Sequence, residues 1–504
     1  MIPRTEPAKP CASYCLPSES LRTLYFQTPD VTHLDGLAGI AAQASHHSIS
    51  HSPQAIALLL ARTIVEKRVN RLGLTHTLRI PGLLRHLLHG RLGQAFAALY
   101  RAKGPQFLFQ APFSRRPLLV LMGVDSNLWA AEHSDRYLRP LFSRAQQVGE
   151  RRAPMNEAML NEALAPVRAA AHLADNLETL LATSYNVMSE WQVGDVLNAG
   201  EVCQRLAERQ LCTLGLGVES LGCMSEFVAL QRRDLLTDGL GLLPKSMRRS
   251  PFIERKRRRI DRALHDCVFG AGDDPAKWVA ALLQANADHP HLLPLIDLPP
   301  HLAEVLMAAK RLGDLLAMCL CTLASHPDLH ERVKQEADAI FSSPIPAPSA
   351  LASEQVDITR RVYFETLRLF PPVPFVLREV MNPVSIGGRD LSVGARVLTA
   401  QCTPHYLEEE FKDPATFDID RFAADRAEHL RPGAFAPFGL GSHACPAGEQ
   451  SEFHVLANLL ALVHYFNFQV TPSSYTLRLK MLPTSAPDNR LRIVITRKRN
   501  SLPS

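Results

Sequence analysis

The 504-residue chain has no apolar run long enough to cross a bilayer, and its opening, MIPRTEPAKPCASYCLPSES, lacks the basic-then-apolar order of a signal peptide. A soluble, cytoplasmic protein without a transmembrane anchor is the expectation. The ten cysteines show neither pairing nor regular spacing, which speaks against a secreted disulfide framework and for a reducing compartment. Net charge is low as well: +5 argues against nucleic acid as the primary ligand. No internal repeat and no regular strand-helix alternation is visible, which sets aside solenoids and doubly wound parallel sheets.

What is present suits a globular chain with a large core, at 46% hydrophobic and 21% charged residues. We expect a flexible tail at 1–20 and one domain over 21–504. QFLFQAPFSRRPLLVLMG reads as two short strands and a turn, with Asp125 or Ser126 as cap of the helix that follows. From about Ala158 to Ala339 the pattern is helical, broken at GLGLLPKSMRRSP, FGAGDDP and DHPHLLPLIDLPPHL. The basic run RKRRRIDRALHD suits a solvated helix face with Ile260 and Leu264 inward. After a helix ending near Leu369, NPVSIGGRDLSVGARVLTAQ reads as strand, Gly-Gly turn, strand. The fold class is mainly α with a small β region.

One stretch carries chemistry: FAPFGLGSHACPAGEQ, which feeds a helix with an apolar stripe. A helix N-terminus offers free N–H groups and a positive dipole end, so Cys445 just before it is favoured as a thiolate. Gly439 and Gly441 let the backbone turn tightly and approach a flat ligand, and Pro446 stiffens the exit. These are the demands of a haem thiolate ligand.

Phe438, Gly441, His443 and Cys445 resemble the haem-binding signature of the cytochrome P-450 family, with Ala447 where that signature ends in glycine. Glu365 and Arg368 in YFETLRLF are similar to the family's Glu-x-x-Arg pair, and Arg421 in FDIDRF resembles the third member of its structural cluster. Arg378 falls on the strand from which the family sends an arginine to a haem propionate. The resemblance implies the cytochrome P-450 fold, haem b as cofactor with Cys445 as the axial iron ligand, and His443 and Arg378 at the propionates. It also implies a monooxygenase acting on a small-molecule substrate, with a ferredoxin, flavodoxin or reductase as electron donor unless peroxide drives it. A second propionate-contacting helix has only Arg151 or Arg152 to offer. The family's pocket segments correspond here to 106–150 and 201–239, which carry no readable specificity code.

The chain departs from the family in its central helix. Ala308 and Ala309 keep the small residues, with Ala308 placed against the haem, but Lys310 and Arg311 stand where an acid and a threonine belong. Thr322 is about three helical turns further on, and Pro294, Pro299 and Pro300 are expected to interrupt the helix's first half. Three readings of Lys310 and Arg311 stay open. Both cations face solvent or another helix; or one faces the haem and holds a substrate carboxylate that relays protons in peroxide-driven chemistry; or the enzyme rearranges an already oxidised substrate such as a hydroperoxide. A non-catalytic haem protein is the competing class. His46, His47 and His51 suit a polar loop rather than a metal site, Cys11 and Cys15 lie in the tail, and Met307, Cys319 and Cys321 suit core or pocket lining.

Overall fold

The structure, a computed structural model, describes residues 80–114, 117–141, 157–248, 250–270 and 275–499. The expected tail, Cys11, Cys15, His46, His47, His51, Arg151 and Arg152 lie outside the described residues.

Helices α1 (Leu83–Leu88) and α2 (Leu92–Lys103) lead into the antiparallel strands β1 (Gln106–Phe109) and β2 (Leu118–Met122), in which Phe107 faces Val120. Next come α3 (Val124–Tyr137) and β3 (Leu138–Pro140). The expected side-chain cap of α3 is not made: Gly123 stands at the cap position, and Ser126 Oγ donates back to the Met122 carbonyl at 2.9 Å. The helical stretch contains α4 (Glu157–Arg168), α5 (Ala170–Asp175), α6 (Leu177–Ser189), α7 (Ala199–Leu216) and α8 (Met224–Asp234), with the short strand β4 (Val196–Asn198) inside it. α9 (Pro251–Phe269) holds the basic run; Ser250 caps it by accepting from the Ile253 N–H, Pro251 opens it, and Ile260 and Leu264 are buried. α10 (Lys277–Asp288) follows.

α11 (Leu298–Ser325) is 28 residues long, about 42 Å at the α-helical rise. Pro299 and Pro300 do not interrupt it. They lie in its first turn, where backbone N–H groups have no intrahelical partner and a missing donor costs nothing. From Leu312 to Leu323 every residue is buried, so this half runs through the middle of the core. Its crossing with α7 is very close: a Cβ on Gly313 would stand 2.5 Å from the Gln204 Cα, so only glycine fits.

α12 (Pro327–Ile340), α13 (Pro348–Ala352) and α14 (Asp357–Leu369) complete this side. Strands β5 (Val376–Val380), β6 (Val384–Ile386), β7 (Arg389–Leu391) and β8 (Arg396–Ala400) follow. The β6–β7 hairpin turns at Gly387 and Gly388, both at positive φ, as the sequence predicts. One sheet has the order β1-β2-β8-β5-β3, with β2 and β8 parallel and the other pairs antiparallel. After a long irregular segment come α15 (Gly448–Tyr465), β9 (Phe466–Thr471), β10 (Leu479–Lys480), β11 (Ala486–Pro487) and β12 (Arg492–Lys498). The largest apolar core joins α6, α7, α11, α12, α14 and α15. A satisfied polar network pins three of these: Gln210 Nε2 donates to Asn458 Oδ1 (2.9 Å) and Ser184 Oγ (2.6 Å), and Asn458 Nδ2 returns a bond to Gln210 Oε1 (3.1 Å).

Candidate functional site

The loop around Cys445 is shaped by its backbone. The Cys445 N–H donates to the Phe438 carbonyl at 2.8 Å, and Gly439 N–H to the Ala436 carbonyl at 3.2 Å. Gly439 and Gly441 take positive φ, the left-handed region in which a side chain is strained. A Cβ on Gly441 would also collide with the Ala131 backbone of α3. Phe438 is half-buried and packs over Gly448, the first residue of α15. Cys445 is exposed, whereas the other seven described cysteines are buried. Burial raises the thiols of Cys203 and Cys402 and pushes those of Cys319 and Cys321 up to about 12, which keeps them protonated and inert. Cys445 is therefore the described thiol placed to act as a ligand.

An imidazole and a guanidinium converge beside this loop. His443 is half-buried, with Nε2 at 3.3 Å from Asp135 Oδ1 on α3. Burial, and then the nearby Arg378 guanidinium, hold its pKa below the ordinary imidazole value. Arg378 comes from β5, is buried, and lines a small recess with Asn127, Gln401 and Leu440.

The first half of α11 supplies another face. Ala303, Glu304, Met307, Ala308 and Arg311 are its only incompletely buried positions between His301 and Arg311, at the spacing of a single helical stripe. Burial lowers the Arg311 pKa, opposed by attraction to Cys445 and then to Glu304, which puts its guanidinium within electrostatic reach of both. Arg311 Nε is buried without a hydrogen-bond partner among the described residues. Glu304 is held by Arg168 of α4, which also bonds Asn161 Oδ1 at 2.8 Å and lies over the Trp278 ring.

Lys310 is not brought to this face. It is buried in an ion pair with Asp314 one turn along, and Gln204 Nε2 of α7 donates to the same carboxylate at 2.6 Å. Successive helical residues point about 100° apart, so Lys310 and Arg311 belong to different faces. On the Lys310 side, α7, α8, α11 and the β10–β11 hairpin enclose a groove of about 400 Å³, lined in part by Gln204, Met224, Val228 and Leu482. Thr322 is also occupied elsewhere, its hydroxyl donating to the Met318 carbonyl at 3.0 Å.

Behind the loop, Arg368 grips both carboxylate oxygens of Glu365 at 2.7 Å each, with both side chains fully buried. Arg368 also donates to the His405 and Pro414 carbonyls, at 2.6 and 2.8 Å. Arg421 approaches Glu365 at 3.4 Å and Glu428 at 3.1 Å, and bonds the Lys412 and Asp413 carbonyls. Burial raises the Glu365 pKa, and the Arg368 guanidinium pulls it back. The cluster thus clamps the irregular segment 405–428 onto α14. Sequence reasoning missed His405, Glu428, Arg168 and Glu304. None sits in a recognisable spacing, and each acquires its partner only through the fold.

A profile of the family described as Cytochrome P450 matches residues 312–487, from the buried half of α11 to β11. That match places residues 312–487 in the cytochrome P450 family. Among curated proteins it is 32% identical over 179 residues to the cyclooctat-9-en-7-ol 5-monooxygenase of Streptomyces melanosporofaciens, covering 35% of this chain and 38% of that one. It is 31% identical over 175 residues to mouse (Mus musculus) thromboxane-A synthase, covering 34% and 33%. The abscisic acid 8'-hydroxylase 3 of Oryza sativa subsp. japonica matches at 28% over 235 residues, covering 45% and 46%. The chain therefore spans between a third and a half of the length of these relatives. Two solved structures share the fold: the cytochrome P450DA heme domain (TM-score 0.67, 18% identity, 82% of this chain and 95% of that one) and a retinoic acid-bound cyanobacterial CYP120A1 (0.69, 21%, 80% and 94%).

A cytochrome P450 match implies a haem, and the residues fit one. An exposed thiol stands at the start of α15, the small Ala308 lies on the α11 stripe, and a side chain at Gly441 is barred. Arg378 offers positive charge and His443 an imidazole at one edge, and the orphaned Arg311 Nε adds an unused donor.

Proposed function

We propose that the protein is a haem-thiolate oxidoreductase, a P450 monooxygenase oxidising a small organic substrate. Cys445 would hold the iron of haem b, and Arg378 and His443 would hold its propionates. The observation that carries this reading is the exposure of Cys445 on a loop whose glycines and backbone bonds hold it open, while the other described cysteines are buried. The names of two relatives, a monooxygenase and a hydroxylase, agree with it. Bound haem supplies an iron centre whose thiolate ligand favours cleavage of an O–O bond.

This chain's own residues control placement and charge. The N-terminal end of α15 presents free N–H groups and a positive dipole end beside Cys445. Arg378 suits a propionate because its planar fork matches a carboxylate. Arg311 brings a cation where the family carries an alcohol, so proton control beside Ala308 differs from the usual arrangement. Its placement near Cys445, with a free donor, supports a second reading: an acidic substrate whose carboxylate Arg311 holds, with peroxide as oxidant. Lys310 takes no part, because Asp314 already neutralises it. Electrons for the first reading come from a ferredoxin, flavodoxin or reductase. No helix among the described residues is long and apolar enough to cross a membrane.

One experiment tests both readings. The full chain, loaded with haem, is expected to give the thiolate-type spectrum of the reduced carbon-monoxide complex, and Cys445→Ala to abolish it; an unchanged spectrum rejects the ligand. The loaded protein is then offered hydrogen peroxide, or a reduced ferredoxin system, with pooled fatty and neutral substrates, and products are read by mass spectrometry. Peroxide products from acids alone, lost in Arg311→Ala, favour the second reading; products needing ferredoxin favour the first. No products under either oxidant leaves a non-catalytic haem protein.

A further inference from the structure

The Glu365–Arg368–Arg421 cluster and the Cys445 loop are different segments, and one side chain joins them. His405, in the short turn Pro404–Tyr406 after β8, is fully buried between the two. The Ala436 N–H can only donate, so the His405 Nε2 that it meets at 3.0 Å accepts. The Arg368 carbonyl can only accept, so Nδ1, 3.1 Å away, carries the proton. Only the neutral ring protonated on Nδ1 satisfies both. Burial, with Arg368 adding to it, pushes the imidazole pKa down to about 3, which keeps the ring neutral. Phe435 stacks on the ring with centroids 5.2 Å apart. From Ala436 the path continues through backbone: the Ala436 carbonyl accepts from Gly439, and the Phe438 carbonyl from Cys445.

We infer that His405 is a positioning residue that carries the geometry of the Glu365–Arg368 frame to the loop and so sets where the Cys445 thiolate stands. The inference rests on Cys445 as the haem ligand proposed above. Its physical basis is that a loop with two positive-φ glycines has little intrinsic preference for one shape, whereas Arg368 is locked by carboxylate and carbonyl bonds. His405 is the side chain bonded to both.

Three variants of the full chain separate the roles. His405→Phe keeps the ring and its stacking but loses both hydrogen bonds. His405→Gln puts a carbonyl oxygen near the Nε2 position and keeps the Ala436 bond. His405→Asn reaches only the Nδ1 position and keeps the Arg368 bond. Amide hydrogen exchange at Ala436, Gly439 and Cys445, measured without haem, is expected to quicken about tenfold in the Phe and Asn variants, which lose the Ala436 bond, and by a smaller factor in Gln, which keeps that bond but loses the Arg368 anchor. With haem loaded, the thiolate-type fraction of the reduced carbon-monoxide spectrum falls in the same order. Wild-type exchange in Phe, or equal exchange in Asn and Gln, overturns the inference. If Phe does not fold, the Asn and Gln pair decides. The exchange result stands whether or not the spectrum shows a thiolate, so failure of the ligand reading is seen separately.

Discussion

Arg368→Met removes the guanidinium from the most connected buried charge among the described residues. The change keeps a long apolar stem and deletes two bonds to Glu365, at 2.7 Å each, and those to the His405 and Pro414 carbonyls. Breaking a buried ion pair from one side costs about 3–5 kcal/mol, and each orphaned buried carbonyl adds about 1–3 kcal/mol. Two effects reduce the total. Burial already raises the Glu365 pKa, so without Arg368 the carboxyl protonates rather than remaining an isolated charge; and the Thr416 carbonyl keeps a bond from Arg421 Nη2. A loss of about 5 kcal/mol results, a large part of the about 5–15 kcal/mol that stabilises an ordinary domain. Urea unfolding of the full chain, followed by circular dichroism and tryptophan fluorescence, measures it through the shift in midpoint. The double variant Glu365→Leu/Arg368→Met removes both charges together and is expected to recover part of the loss. A loss below about 1.4 kcal/mol for the single variant, or a double variant worse than the single, would refute the reasoning.

Lys310→Met strands Asp314, whose carboxyl burial already raises and which then keeps only the Gln204 amide; a loss of about 3 kcal/mol is expected, largely returned in Lys310→Met/Asp314→Leu. Thermal unfolding reads it, and an unaltered midpoint for the single variant would show that the pair contributes nothing. Acid sensitivity follows from His405 and His454, both pushed down to about 3 by burial. The unfolded chain takes up these protons at the ordinary value of 6.5 while the folded chain refuses them. Their contribution is therefore whole above that value and lost as pH falls toward 3. His454→Gln should flatten the slope of stability against pH, between about pH 6 and pH 4, by about 1.4 kcal/mol per unit; an unchanged slope would contradict the assignment.

Several features were legible because they are local. Glu365 and Arg368 lie three apart on a helix and meet wherever that helix is buried. Gly387-Gly388 between Val-Ser-Ile and Arg-Asp-Leu is a two-residue hairpin signal that acts over a few residues. Cys445, its flanking glycines and the helix beyond form a motif that carries its own conformational requirements. The expectation for Pro299 and Pro300 failed because a proline's effect depends on its distance from the helix start, and this helix begins at Leu298, immediately before them.

The residue types and spacings in this chain determined by themselves the helical stripes, the strand pair, the glycine turns and the thiol poised before a helix, since all of these follow from backbone preferences over a few residues. Only the tertiary structure decided that Lys310 is neutralised by Asp314 against α7 while its neighbour Arg311 shares a stripe with Glu304, Met307 and Ala308, because the direction of a helix face has meaning only once its neighbours are packed. It also decided that His405 bridges Arg368 to Ala436 and that Arg168 holds Glu304. Those partners lie 31 to 136 residues apart, and burial is what makes each contact obligatory, since a polar group taken out of water must find its partner in the fold.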